Sequence, residues 1–184
     1  MTQWLISDTH FSHANIIKYC SRPFRNTTDM DEVMISRWQH AVKPDDLIYH
    51  LGDVGYLKGS QVPGEPSYIE KVMARLPGKK ILILGNHDKS AERMMELGFD
   101  FACESMMITA FGKMLYLNHR PLPLLPHGAD RIIHGHIHNS TPESRKPYVH
   151  KGEMVEIPNF NINISVEMTN YAPVSLKALV EKIK

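Results

Sequence analysis

The residues able to do chemistry in this chain sit on short turn-forming stretches. They are Asp8-Thr9-His10, Gly52-Asp53, Gly85-Asn86-His87-Asp88, the isolated His119 and Gly135-His136-Ile137-His138. Carboxylate oxygen, amide oxygen and imidazole nitrogen are donors that a divalent metal of borderline hardness accepts together. Asp8 and His10 are separated by one residue, so a strand end aims both the same way, and His136 and His138 repeat that geometry. Asp53, a single carboxylate after a glycine, can bridge two ions through both oxygens. Asn86 adds a neutral amide oxygen, which keeps the total ligand charge low and the ions strongly Lewis acidic. This supply suffices for two divalent metals about 3.5–4 Å apart, the spacing of two-metal hydrolases, in which a bridging water loses a proton near neutral pH and becomes the nucleophile. The expected cofactor is two divalent ions, manganese first, with iron, zinc, nickel and cobalt also suited to a mixed nitrogen and oxygen set. Any one stretch alone reads as turn or capping chemistry, since Asp and Asn favour turns. Their joint occurrence, each after an apolar run, is the signal; His119 rests on position rather than on a motif.

Those apolar runs are the elements that must position the donors. Residues 3–7, 46–51, 80–84 and 130–133 each lead into a chemical stretch and suit strands buried on both faces. Helical patterns fall between them. Thr28 or Asp29 can cap a helix in which Met30, Met34, Trp38 and Ala41 share one side, ending before Pro44. Further helices are expected at 67–76, at 89–97 before Gly98, and at 175–184 after Pro173. Residues 106–110 and 113–118, joined by Phe111-Gly112, read as a hairpin. Residues 121–126, with three prolines, read as an extended surface loop, and 161–166 as a half-buried strand. Alternating β and α elements followed by hairpin-type strands imply two sheets with helices outside both. Residues 59–66 are the expected mobile insertion.

A chain of 184 residues is expected to form one domain, 1–184, with a single substantial core. Its 42% apolar and 22% charged content is that of an ordinary globular protein. The formal charge of +1 gives no polyanion-binding field, so no strong nucleic-acid signal is present. Two cysteines, Cys20 and Cys103, read as buried thiols of a reducing compartment. The amino-terminal residues lack a basic region followed by a signal-length apolar run, and no stretch approaches the roughly 18 apolar residues of a membrane span. The expected compartment is therefore the cytoplasm, without a membrane partner.

In that order, DxH, GD, GNHD, a later single His and GHxH resemble the calcineurin-like metallophosphoesterase superfamily. The resemblance runs from Asp8 to His138 with every motif intact. Ser7-Asp8-Thr9-His10-Phe11-Ser12-His13, Arg22-Pro23-Phe24 and Tyr171-Ala172-Pro173-Val174-Ser175-Leu176 are similar to a group of small bacterial and phage predicted phosphoesterases. The fold implied is α/β, a four-layer αββα sandwich of two mixed β-sheets flanked by helices. The resemblance implies that Asp8, His10, Asp53 and His138 hold the first metal, and that Asp53, Asn86, His119 and His136 hold the second. It makes His87 the catalytic histidine, with Asp53 shared between the ions, and gives Asp88 the task of orienting the turn or that imidazole. Asn118 departs from the pattern, because many relatives carry a small residue before the histidine; it narrows the pocket.

The implied function is hydrolysis of a phosphate ester, with a phosphodiester or small nucleotide as the favoured substrate. A non-catalytic scaffold with this fold, or a nuclease acting on nucleic acid, are the alternatives. Around the centre, His13, Arg22 and Arg120 are candidates to contact substrate or ligands. The competing reading packs His13 locally and leaves the arginines as solvated loop residues. His134 reads as a satisfied strand histidine, and His40, His50, His127 and His150 as structural. Met94, Met95, Met106 and Met107 read as core filling.

Overall fold

From the first apolar run onward, the computed structural model orders the elements as β1 (Gln3–Ile6), α1 (Ala14–Tyr19), α2 (Thr27–Ala41), β2 (Leu47–His50), α3 (Tyr68–Met73), β3 (Lys79–Ile83), α4 (Ala91–Glu96) and β4 (Phe101–Cys103). The second half continues with β5 (Ser105–Ala110), β6 (Lys113–Asn118), β7 (Arg131–His134), β8 (Val149–His150), β9 (Glu153–Met154), β10 (Asn161–Asn163), β11 (Val174–Ser175) and α5 (Leu176–Lys182). The structure describes residues 1–57, 65–140, 149–150, 153–154 and 156–183. The expected insertion at 59–66 falls mostly outside them, as does the side chain of His150.

One sheet has the order β11-β1-β2-β3-β4, with β1 to β4 parallel and β11 antiparallel to β1. The second large sheet runs β10-β7-β6-β5, an antiparallel β5–β6 hairpin continued by parallel β7 and β10, and β8 and β9 form a separate antiparallel pair. Both sheets are mixed and helices flank them, as the chain's alternation of elements implies. The central strands need apolar residues on both faces, which explains their near-continuous runs. Ile6, Ile48 and Leu82 face Ile16, Met34, Trp38, Ile69 and Met94 of α1 to α4. Their strand neighbours Leu5, Tyr49 and Ile83 face Leu115, Leu117 and Ile133 of the second sheet, where α5 adds Leu176 and Val180. Each such fully buried aliphatic side chain contributes about 2 kcal/mol.

The sheets also meet through backbone. Beyond β1, Ser7 bridges to Ser165, and the Val166 amide donates to the Ser7 carbonyl at 3.1 Å. This brings the carboxyl ends of β1, β2 and β3 beside those of β6 and β7, the end at which open α/β sheets place ligands.

Several details differ from expectation. The cap of α2 is Asn26, whose side chain accepts from the Asp29 amide at 2.8 Å, so the helix begins before Thr28. Helix α1 spans six residues with no side-chain cap bond at His13, and strand β4, which was not expected, spans three. Neither is long enough to show a period. Met94 is core, but Met95 and Met107 are exposed, because Met95 lies on the solvent side of α4 and Met107 points outward from β5. Cys20 is buried, whereas Cys103 is only half-buried. The Phe111-Gly112 turn has positive φ at both residues, 49° and 76°, the requirement of a tight two-residue hairpin.

Candidate metal centre

All seven expected donors lie at the shared end of the two sheets. Asp8 and His10 follow β1, Asp53 follows β2, Asn86 follows β3, His119 follows β6, and His136 and His138 follow β7. They form two groups. Ligand atoms of Asp8, His10 and His138 lie within 4.8 Å of one another, and so do those of Asp53, His119 and His136. Asp53 stands between them: its Oδ2 is 3.5 Å from Nε2 of His10 and 3.5 Å from Nε2 of His119.

The donor set fits cations. His119 donates from Nδ1 to the Leu51 carbonyl at 2.7 Å and, with Nδ1 of His136 3.2 Å away, keeps Nε2 as an acceptor. That nitrogen faces two further acceptors, Asn86 Oδ1 at 3.1 Å and Asp53 Oδ2 at 3.5 Å. His138 hydrogen-bonds Glu167 through Nδ1 at 3.1 Å and turns Nε2 toward Asp8 Oδ1 at 4.0 Å. The Nε2 of His10 is buried with no hydrogen-bond partner among the described residues. Converging lone pairs and an orphaned ring nitrogen are the arrangement a divalent ion completes.

Charge follows the same geometry. Burial pushes the Asp53 carboxyl up, but the bond to His119, the charges of His119 and His10 and the His87 amide outweigh it and hold its pKa well below the usual range. Burial raises Asp8. Burial drives His10 far down, and burial with the neighbouring His119 and Arg120 takes His136 to about 3. For His138 burial is overcome by Cys20, Glu167 and Asp8, raising it to about 11. A metal taking this nitrogen therefore displaces a proton.

The frame that holds the donors is tight. Asp8, His10, Asp53, His136 and His138 all have positive φ, between 50° and 69°, a backbone region L residues seldom enter and that clusters at functional sites. Asp88 turns inward, accepting from the amides of Asp53 (2.9 Å), Val54 (3.0 Å) and Gly85 (2.8 Å), and so ties the second loop to the third. Gly135 packs so closely that a Cβ there would stand 2.0 Å from Ser7 Oγ and 2.1 Å from Asp8 Oδ2.

The arginines divide. Arg22 does not reach toward substrate, as a phosphate contact would require. Its guanidinium is buried, donating to the carbonyls of Asp8 (2.7 Å) and Thr9 (2.9 Å) and paired with Glu167 at 2.7 Å. The left-handed turn at Asp8 leaves those carbonyls needing donors, and Arg22 supplies them. Arg120 lies at the mouth, donating to His136 Nε2 at 2.7 Å and to Asn86 Oδ1 at 3.2 Å. His87 is exposed, with Nε2 4.0 Å from Asp53 Oδ2 and its ring 5.7 Å from that of His10. His13 lies between the rings of His10 and Tyr56, at 5.5 and 6.1 Å. His134 and His50 are buried; His50 bonds Thr9 Oγ1 at 2.9 Å. His40 and His127 are exposed on the surface.

Glu167 escaped the sequence reading. It links His138 to Arg22 and is buried behind both. It lies in Val166-Glu167-Met168, away from any motif, and nothing in the local sequence marks it.

Comparison with known proteins agrees with this geometry. Over 182 residues the chain is 35% identical to an uncharacterized protein of Methanocaldococcus jannaschii, covering 98% of this chain and 90% of that one. It is 32% identical over 89 residues to the Gene 66 protein of Mycobacterium phage L5, covering 46% of this chain and 39% of that protein. Among solved structures, a protein of unknown function from Aquifex aeolicus superposes with a TM-score of 0.71 at 26% identity, covering 99% of both chains. The profile described as calcineurin-like phosphoesterase matches residues 1–117, the stretch that carries Asp8, His10, Asp53, Asn86 and His87. The chain belongs to the calcineurin-like phosphoesterase family.

Proposed function

We propose that this protein hydrolyses phosphate esters with the help of two divalent metal ions, a phosphodiester or small nucleotide being the favoured substrate. The observation that carries the reading is the position of Asp53 Oδ2, midway between His10 and His119 and between two compact donor groups. Asp8, His10, Asp53 and His138 would hold one ion, and Asp53, Asn86, His119 and His136 the other. Two such ions supply charge neutralisation at the phosphoryl oxygens and lower the pKa of water. Asp53 would be shared between them, while Asp88 and Arg22 keep the loops that carry it and Asp8 from relaxing. His87, exposed at the edge of the centre, is placed to give a proton to the departing alkoxide. Arg120 offers the phosphate a guanidinium at the opposite edge. Among the described residues no helix is long and apolar enough to cross a membrane.

The test uses a bis-nitrophenyl phosphodiester in the presence of manganese. Asp53→Ala should abolish turnover and strip bound metal, whereas His87→Ala should lower kcat about 10²-fold or more with metal content held. Activity in both variants equal to wild type removes the proposal. Metal binding with no turnover of any ester in the unaltered protein favours a scaffold instead.

A further inference from the structure

Two cavities flank the centre, and Tyr56 lines one of them. One, of about 320 Å³, is bounded by His10 and His87 on the side of the donors and by His13, Tyr56 and Leu57 on the other. The second, of about 360 Å³, is bounded by Leu84 and Gly85 as well as by Asn86, Asn118, His119 and Arg120. Lys89 borders both. Both volumes lie at the lower end of the range of small-molecule sites.

Tyr56 is the informative residue. Its side chain is 56% exposed, yet its backbone is fixed: its amide donates to the Phe11 carbonyl at 2.8 Å, beside the Phe11–Gly55 bridge. Its ring lies nearly parallel to His13, at an interplanar angle of 11°, and His13 in turn abuts His10. A row of three rings thus leads from solvent to the donor group of Asp8, His10 and His138. An exposed aromatic face beside a reacting centre is a stacking platform, since every nucleobase has a π-face.

We propose that this flank receives the base of a nucleotide stacked on Tyr56. The substrate class is then a nucleoside phosphodiester, with its base over Tyr56, its phosphate beside Lys89 and the metals, and its polar arm toward Asn118 and Arg120. This rests on the phosphoesterase reading above. It makes the cavity beside Tyr56 the site of base specificity.

Calorimetric binding of adenosine 5′-monophosphate and of ribose 5-phosphate to the manganese-loaded protein separates the base from the phosphate. The nucleotide should bind about tenfold more tightly than the sugar phosphate, the size of one base-on-aromatic stack. Tyr56→Ala should bring the ratio close to one, and Tyr56→Phe should retain it. Equal affinities in the unaltered protein, or a preference that Tyr56→Ala leaves in place, overturn the inference, and the first of these outcomes needs no variant to fold. Turnover of the bis-nitrophenyl ester is followed in parallel. Turnover without base preference overturns the stacking site alone, and Tyr56-dependent base preference without turnover overturns hydrolysis alone.

Discussion

Replacing Gly135 by alanine tests the frame with one methyl group. Gly135 is not among the residues of positive φ, so the backbone accepts alanine and the effect is purely one of space. The added Cβ would lie 2.0 Å from Ser7 Oγ and 2.1 Å from Asp8 Oδ2, where ordinary contact starts at 3.4 Å. Asp8 is fully buried, and its carboxylate is already held by the His136 amide at 3.0 Å. To reach 3.4 Å that carboxylate has to retreat by 1.3 Å, or Gly135 has to carry His136 away with it. A displacement of about 1 Å in a catalytic constellation costs on the order of 10²-fold in rate, and overpacking a filled site costs about 1–3 kcal/mol. The expected result is loss of one of two metals by elemental analysis, turnover down about 10²-fold, and a lower melting temperature. Gly112→Ala is the control: its turn is open, with nothing within 4 Å, but its φ of 76° disfavours alanine. It should lose about 1 kcal/mol of stability and no metal. Gly135→Ala retaining both metals and wild-type turnover would refute the reasoning.

Glu167→Gln removes the charge that His138 and Arg22 share. It should weaken metal binding at the Asp8, His10 and His138 group about 10–100-fold while sparing the other group, read by chelator competition; equal loss at both groups, or none, sinks the assignment. Asp31 provides a pH test away from the centre. Burial raises its carboxyl from 3.8 to about 6 against the opposing bonds from Tyr68 and the Ser12 amide, and its Oδ1 has no hydrogen-bond partner among the described residues. A carboxyl whose folded pKa is raised gives stability that is complete below its unfolded pKa and is lost as pH climbs through about 6. Two pKa units are worth about 3 kcal/mol. Urea unfolding should therefore show Asp31→Asn gaining on the unaltered protein by up to about 3 kcal/mol between pH 4 and pH 8. A difference that does not change with pH contradicts this.

What the sequence makes legible is what a short window can encode. Asp8 and His10, or His136 and His138, sit one residue apart at the end of an apolar run, so the run, the turn and the donors are read together. Their convergence with Asp53 and Asn86 follows once the strands are taken as parallel, because all the donors then emerge from one end. Glu167 and Arg22 are 145 residues apart, and only the folded chain shows that one neutralises the other behind His138. Arg22 is also misread for that reason: beside Pro23-Phe24 it looks like a loop arginine, while the carbonyls of Asp8 and Thr9 draw it inside. Asn26 takes the α2 cap from Thr28 and Asp29 because all three can serve, and geometry decides among them.

Each of the two donor groups takes members from both sheets: Asp8 and His10 with His138, and Asp53 with His119 and His136. Neither half of the polypeptide therefore owns a complete binding site. Competence to hold metal arises only when donors far apart in the sequence have closed their longest loops, a step that comes late in folding because chain entropy opposes it. A nascent or partly unfolded chain presents scattered weak donors, and the full affinity appears only with docking of one sheet on the other.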